Sequence, residues 1–169
     1  MSVTRAANSD TFKATTPSDR EIVLTRLFDA PRELVFEAMT RPEHVKRWWG
    51  CLDERYSVPV CEIDLRVGGT RKQVMRSPDG YEMALTGVFL EIRRPDRLVW
   101  RNESDDPARP PIIQAVTFTE EDGKTRWTLQ STMVSVEARD KAAEMGFVQM
   151  ITQGIERLNG YLVSVKVNH

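Results

Sequence analysis

The sequence predicts an α+β fold in which an antiparallel sheet packs its concave face against one long C-terminal helix. Short segments with alternating apolar residues recur between residues 21 and 133, separated by turn-forming residues, which is typical of an antiparallel meander. A proline-free stretch from residue 136 to about 167 carries apolar residues three or four positions apart, as one face of a helix does. Two short helical segments lie between the first strand and the rest of the sheet.

Composition narrows the class of protein. The chain has 169 residues, a length that fits one domain, and its 24 Lys+Arg against 25 Asp+Glu leave a net charge of -1. A nucleic-acid binder normally shows a basic footprint, so we expect no nucleic-acid partner. No apolar run reaches the roughly 20 residues that cross a bilayer, and we expect no membrane span.

The N-terminus and the cysteines predict a cytoplasmic protein. The first ten residues lack the apolar core of a secretory signal, and the only two cysteines, Cys51 and Cys61, fit reduced thiols in that compartment. The two histidines, His44 and His169, give no cluster with metal-ligand spacing, so no metal or cofactor is predicted.

We predict a flexible extension over residues 1–19, rich in Ser, Thr and Ala, and a single domain over residues 20–169. The domain begins with a strand over residues 21–28. Pro31 suits the first turn of the helix that follows. Thr40 and Glu43 have the spacing of a capping box for the second helix, which ends at Gly50.

The rest of the sheet is predicted from turn chemistry. Ser77-Pro-Asp-Gly80 is a strong hairpin signal, because Pro and Gly fit successive turn positions. The predicted strands, which bring the sheet to about seven, cover residues 57–65, 70–76, 81–92, 98–100, 112–119 and 125–133. Gly87, inside one of these strands, marks a bulge or a place where another element packs closely.

The C-terminal helix has a single apolar stripe, which needs a matching apolar surface, and the concave face of the sheet supplies it. The stripe consists of Met145, Val148, Ile151, Ile155, Leu158, Leu162 and Val165. Gly146, Gly154 and Gly160 each cost roughly 1 kcal/mol against alanine in a helix, so packing has to compensate.

Several motifs resemble bacterial proteins similar to the activator of Hsp90 ATPase, members of the START-like (SRPBCC), Bet v 1-like superfamily. The segments that carry the resemblance are residues 26–36, 40–44, 48–50, 61–69, 74–80, 87–92 and 97–100, within a match over about residues 21–162. The resemblance implies the helix-grip fold, in which about seven strands wrap around the C-terminal helix and enclose a cavity.

The chain departs from this pattern at the cavity wall. Arg71 and Gln73 stand where members often carry aromatic residues, Met150-Ile151 where they often have Gly-Trp, and Cys51 where a proline is common. The departures predict a cavity that is more polar at one wall.

Seven residues are candidates for lining that cavity: Trp48, Trp49, Arg71, Gln73, Met75, Phe147 and Ile151. By period two, Arg71, Gln73 and Met75 share one strand face. On a concave face Arg71 and Gln73 hold a carboxylate or carbonyl of an amphipathic ligand, and on a convex face they are surface residues.

The remaining candidates each have an ordinary structural alternative. Trp48 and Trp49 either line a pocket mouth or attach the second helix to the sheet. Phe147 and Ile151, with Met145 and Met150, form either a cavity floor or part of an ordinary helix core.

Two charged features are better explained without chemistry. Asp64 and Arg66 favour an ion pair at the sheet rim over an acid–base pair. We expect His44 to be exposed at a helix start.

Three functional hypotheses follow. The first is a protein without an evident catalytic centre that binds a hydrophobic or amphipathic small molecule. The second, from the resemblance, is a protein-interaction module that binds a chaperone or another partner. The third is an enzyme similar to polyketide cyclases and dehydratases, relatives in the same superfamily. A homodimer is left open.

Overall fold

The computed structural model describes residues 12–104 and 108–167 and contains eight strands and four helices in that part of the chain. In chain order they are β1 (Phe12–Thr15), β2 (Glu21–Phe28), α1 (Arg32–Thr40), α2 (Pro42–Trp48), β3 (Ser57–Ile63), β4 (Thr70–Arg76), β5 (Glu82–Arg93), β6 (Arg97–Glu103), β7 (Ile112–Glu121), β8 (Lys124–Thr132), α3 (Val136–Glu144) and α4 (Phe147–Val167).

All eight strands form one antiparallel sheet in the order β1-β2-β8-β7-β6-β5-β4-β3. Each strand from β3 to β8 pairs with its neighbour in sequence, and β2 joins this meander by pairing with β8. The helix-grip α+β prediction is confirmed, with eight strands in place of about seven.

The additional strand lies within the predicted N-terminal extension. Phe12–Thr15 forms β1 and pairs with β2, and the side chains of Phe12 and Ala14 are buried. The prediction of a flexible segment therefore does not hold for β1, because its alternating apolar residues complete an edge of the sheet. Residues 1–11 lie outside the described residues.

The C-terminal helix is divided in two. Gly146 has a positive φ of 87°, which glycine adopts without a steric penalty, and it separates α3 from α4. Met145, predicted to lie on the apolar stripe, is 71% exposed in this break. The stripe itself begins in α4, where Val148, Ile155 and Leu158 are buried.

The core lies between the inner face of the sheet and the helices α1 and α4. Its members include Leu24, Phe36, Phe118, Trp127 and Leu162, and edge-to-face contacts join Phe36 with Phe118 and Phe28 with Trp127. Among the described residues no helix is long and apolar enough to cross a membrane.

The capping box predicted at the start of α2 is absent. Thr40 is not the cap of α2: it is the last residue of α1, and its hydroxyl donates to the carbonyl of Phe36 at 2.8 Å. Arg41 occupies the cap position of α2 without a side-chain cap. α2 therefore begins one residue later than the capping box requires.

Candidate functional site

A buried polar pair lies on the inner face of β4. Arg71 is 5% exposed and Gln73 is 0% exposed. Thr70, which precedes the pair, and Lys72, which lies between its members, are exposed. Met75 continues the same face and is also buried. The alternation along β4 therefore places all three sequence candidates of this strand on the inner side of the sheet.

Arg71 and Gln73 are hydrogen bonded to each other. The Nε of Arg71 donates to the Oε1 of Gln73 at 2.9 Å, and the Nη2 of Arg71 donates to the same oxygen. Two of the guanidinium nitrogens thus share one amide oxygen, and this fixes the orientation of the third, Nη1.

Aromatic rings hold the guanidinium from the neighbouring strands. Its carbon lies 4.7 Å from the centroid of the Trp100 ring in β6 and 5.9 Å from that of Phe89 in β5. A cation over an aromatic face at this distance is attracted by the ring quadrupole. These rings replace part of the stabilisation that water gives an exposed arginine.

Gly87 makes this arrangement possible. It lies directly opposite Arg71 in the β4–β5 register and opposite Asn102 in the β5–β6 register. A Cβ there would come within 3.3 Å of Trp100 Cδ1 and 3.4 Å of Arg71 Cγ. Because Gly87 has no side chain, Arg71 can extend across β5 and contact Trp100.

Two donors of the pair remain unsatisfied. Arg71 Nη1 and Gln73 Nε2 are buried and have no hydrogen-bond partner within the described part of the chain. A buried donor without a partner costs roughly 1–3 kcal/mol, and more for a charged group. Buried polar atoms of this kind need a specific explanation.

The charge of Arg71 is also uncompensated. Among residues 12–104 and 108–167, no carboxylate forms a salt bridge with it. Burial lowers the pKa of Arg71 to about 10, which leaves it protonated at neutral pH. Burial raises the pKa of the nearby Cys61 thiol, an effect that Arg71 opposes, so this thiol is neutral.

Further polar groups lie along the inner face. The indole Nε1 of Trp100 donates to Asn102 Oδ1 at 2.8 Å, and the hydroxyl of Ser131 donates to Gln114. Gln114 pairs with Trp100 across β6 and β7. A polar row therefore crosses the sheet from β8 to β4, within an otherwise apolar interior.

Trp48 joins the helices to one another. Its indole Nε1 donates to the carbonyl of Ala38 in α1 at 2.8 Å, and its own carbonyl accepts from Arg157 Nε in α4 at 3.0 Å. Trp49, which follows α2, is half-buried, and its backbone N–H bonds to the carbonyl of Val45. The polar contacts of Trp48 are thus those of a structural link between helices.

The two α4 candidates differ in burial. Phe147 belongs to the buried core, and Ile151 is half-buried and packs against it. Met150 is 52% exposed and, like Met145, points away from the interior. Of the predicted floor, only Phe147 and Ile151 face the sheet.

The remaining sequence candidates have structural roles. Asp64 and Arg66 form an exposed ion pair with a distance of 2.8 Å, as expected for the rim. The expectation of an exposed His44 was wrong: its ring is half-buried, and its Nδ1 contacts the hydroxyl of Tyr161 in α4. Cys51 and Cys61 are free thiols. Within the described part of the chain, no three His, Cys, Asp or Glu side chains cluster in a way that would hold a metal ion.

Two surface grooves lie away from the polar pair. One, of about 290 Å³, is lined by Thr86, Arg101, Glu103, Ser104 and Pro111. The other, of about 350 Å³, is lined by Arg32, Arg93, Asp96, Arg97, Thr117, Phe118 and Thr119. Neither contains a predicted cavity residue. Because Arg71 and Gln73 are buried, a ligand that reaches them has to open the wall that encloses them.

Sequence reasoning missed Phe89 and Trp100, which hold Arg71 in place, and Asn102, which accepts from Trp100. It gave Gly87 as a bulge or a position of close packing, without connecting it to Arg71. The Ser77–Gly80 turn sets the register of the β4–β5 hairpin, which pairs Arg76 with Glu82, and counting back along both strands places Gly87 opposite Arg71. The contact with Trp100 depends on the next strand, whose register no short turn signal specified.

An antiparallel sheet that grips a long C-terminal helix defines a protein of the START-like, Bet v 1-like fold. The model of the family "Activator of Hsp90 ATPase homolog 1-like protein" matches residues 29–163. The chain belongs to this family. No curated protein matches the chain.

Solved structures of bacterial proteins share the fold. A protein from Nitrosomonas europaea is 26% identical, with a TM-score of 0.76, over 89% of this chain and 98% of its own. A protein from Mycobacterium smegmatis is 25% identical, with a TM-score of 0.79, over 90% of this chain and 98% of its own. An AHSA1-like protein from Aeromonas hydrophila is 20% identical, with a TM-score of 0.67, over 87% of this chain and 96% of its own; this last likeness shows the fold alone.

Proposed function

We propose that the protein binds a hydrophobic or amphipathic small molecule between the sheet and α4, and that an oxygen of the ligand accepts hydrogen bonds from Arg71 and Gln73. The observation that carries this proposal is the pair of unsatisfied buried donors, Arg71 Nη1 and Gln73 Nε2. An acceptor oxygen satisfies both. The aromatic and aliphatic side chains around them supply the apolar burial that most ligand sites use.

The pair supports binding better than it supports stability. Replacing a buried charge with apolar residues of similar volume is often neutral or stabilising. Arg71 in the core is thus expected to lower the stability of the ligand-free protein. A ligand that completes the hydrogen bonds of Arg71 would give this residue a function.

The test is a titration of the purified protein with alkyl and aryl compounds that carry a carbonyl, carboxylate or hydroxyl group. We expect a saturable change in tryptophan fluorescence, because Trp100 contacts Arg71, and a rise in melting temperature. The variant Arg71→Met is expected to lose the response, while Arg66→Met at the exposed rim keeps it. A panel that gives no saturable response contradicts the proposal.

A second candidate function is binding of a protein partner next to α3. No residue of α3 is buried, and four large apolar side chains around its ends are exposed, namely Val134, Val136, Met145 and Met150. Exposed apolar surface of this kind is typical of interaction sites. The family's name points to a chaperone as the partner to test.

That test measures the ATPase rate of a purified Hsp90-type chaperone with and without the protein. Stimulation that is lost in the variant Met145→Lys/Met150→Lys supports the second function. An unchanged ATPase rate, together with no complex in size-exclusion chromatography, counts against it. For either function we propose a cytoplasmic location, which the two free thiols support.

A further inference from the structure

The interior of the grip carries one positive charge that the described residues leave unbalanced. Fully buried arginines are almost always paired, and the described ion pairs of the other arginines join them to Asp or Glu, as the mostly buried Arg26 is joined to the exposed Glu156 at 3.4 Å. Arg71 instead has an amide oxygen and two aromatic rings as its neighbours. None of these carries a negative charge.

We infer that the ligand of this site is an apolar monocarboxylate, whose carboxylate neutralises Arg71 and accepts hydrogen bonds from Arg71 Nη1 and Gln73 Nε2. The inference rests on the proposed function and narrows it to a chemical class. A neutral carbonyl satisfies the same donors but leaves the positive charge buried and unpaired. Only an anion removes both the unsatisfied donors and the uncompensated charge, and charge-assisted hydrogen bonds are roughly twice as strong as neutral ones.

The number of cationic groups sets the charge of the ligand at one. Arg71 is the sole positive side chain that the described structure buries in this wall, and the nearby Cys61 is a neutral thiol. A phosphate monoester, with close to two negative charges, replaces one uncompensated charge with another of opposite sign. A carboxylate matches the single guanidinium.

Two donors of Arg71 are already hydrogen bonded to Gln73, and this limits how the carboxylate is held. Because Arg71 Nε and Nη2 both donate to Gln73 Oε1, the edge of the guanidinium formed by these two nitrogens is already occupied by the amide. The carboxylate therefore meets the Nη1 end, and the amide nitrogen of Gln73 provides the second donor. Gln73 orients Arg71 and also contacts the ligand.

The remainder of the ligand is apolar because the neighbouring inner face is. Met75, Phe89 and Trp100 are buried next to the pair, and Ile63 pairs with Arg71 from β3. Alkyl chains and aromatic rings both pack well against these apolar side chains. The experiment therefore contains one set of alkyl probes and one set of aryl probes.

The experiment is isothermal titration calorimetry of the full-length chain with two matched sets of probes. The alkyl set is decanoate, decanamide and 1-decanol, and the aryl set is 2-naphthoate, 2-naphthamide and 2-naphthylmethanol. We expect one of the two carboxylates to bind at least tenfold more tightly than the amide and the alcohol with the same skeleton. The set that shows this preference identifies the ligand as alkyl or aryl.

Three variants separate the effect of the Arg71 charge on binding from a loss of folding. Arg71→Met is expected to remove the preference for the carboxylate, and Arg71→Lys to retain part of it, because the positive charge stays. Arg66→Met, a change to the exposed rim, is expected to bind like the wild type. Circular dichroism and melting temperature establish that each variant is folded.

Three results overturn the inference, and they have different consequences. If an amide or alcohol binds as tightly as its carboxylate, the monocarboxylate is wrong while the binding function stands. If Arg71→Met is folded and still prefers the carboxylate, Arg71 is not the group that recognises it. If none of the six probes binds, the inference and the proposed function both fail.

Discussion

The guanidinium carbon of Arg71 lies 4.7 Å from the centroid of the Trp100 ring, although the two residues are on strands separated by β5. Gly87, the β5 residue between them, has no side chain to keep them apart. The Trp100 ring and the Gln73 amide thus hold the cation in the core, and the absence of a side chain at Gly87 leaves room for this contact. This arrangement orients the charge without neutralising it, and the first two predictions concern its cost and its geometry.

Removing the polar pair is expected to stabilise the free protein. Burial lowers the pKa of Arg71, which means that its charged form is less stable in the folded protein than in water. At neutral pH this effect opposes folding. We expect Arg71→Met/Gln73→Met to raise the free energy of unfolding by about 1–3 kcal/mol, as replacement of buried ions by apolar residues does. Urea denaturation of the ligand-free protein measures it.

The single variant Gln73→Leu is the matched comparison. It leaves Arg71 buried without its hydrogen-bond acceptor, so we expect a loss of about 1–3 kcal/mol. Loss of the Gln73 amide is therefore expected to destabilise the protein only while Arg71 remains. A double variant that is less stable than the wild type would show that the pair is a structural element of the core.

Filling the gap at Gly87 is expected to disturb the polar pair. In Gly87→Ala the new Cβ meets the backbone oxygen of Arg101 at 3.0 Å as well as Trp100 and Arg71. Overpacking of this kind costs about 1–3 kcal/mol, and we expect carboxylate affinity to fall because Arg71 shifts. Thermal unfolding and calorimetry provide the two measurements.

Gly160→Ala is the control for this substitution. A Cβ at Gly160 in α4 meets nothing within 4 Å, and alanine is favoured over glycine inside a helix by up to about 1 kcal/mol. This variant is expected to be slightly more stable and to bind normally. If the two substitutions changed stability and carboxylate affinity equally, Gly87 would have no particular role at the site.

The sequence was sufficient for the fold because the local signals agree with the global architecture. The Ser77–Gly80 turn fixed the β4–β5 hairpin, and the apolar stripe of α4 required the concave face. The exception at Gly146 has a physical reason: an apolar period does not show whether a glycine continues a helix or ends it. β1 was missed because four residues are too few to show a strand period.

The site was predictable only in part. Period two placed Arg71 and Gln73 on the same face, but no sequence pattern decided which face of β4 is concave. The contact with Trp100 depends on two strand registers combined, and the unsatisfied donors depend on every neighbour in three dimensions. These features are properties of packing, which a linear pattern does not contain.

Trp48 is expected to matter for stability and not for binding. In Trp48→Phe the hydrogen bond to the carbonyl of Ala38 is lost, with a cost of about 1 kcal/mol. We expect carboxylate affinity to stay within about twofold of the wild-type value, since every polar contact of the Trp48 side chain described above is to α1. Denaturant unfolding and calorimetry of the same preparation test both parts. Weaker binding at unchanged stability would instead place Trp48 in the ligand wall.

Carboxylate binding is expected to be independent of pH between about 6 and 9. The pKa of Arg71 in the free protein is about 10, so the guanidinium stays charged over this range, and a carboxylate with a pKa near 4 is ionised throughout. Above pH 10 the protonated form of Arg71 decreases, and because only this form attracts the anion, affinity falls with rising pH. Calorimetry with decanoate or 2-naphthoate at pH 6, 7, 8 and 9 measures the plateau, and the matching alcohol is the control. A tenfold change in carboxylate affinity between pH 6 and 8 would contradict Arg71 as the recognising group.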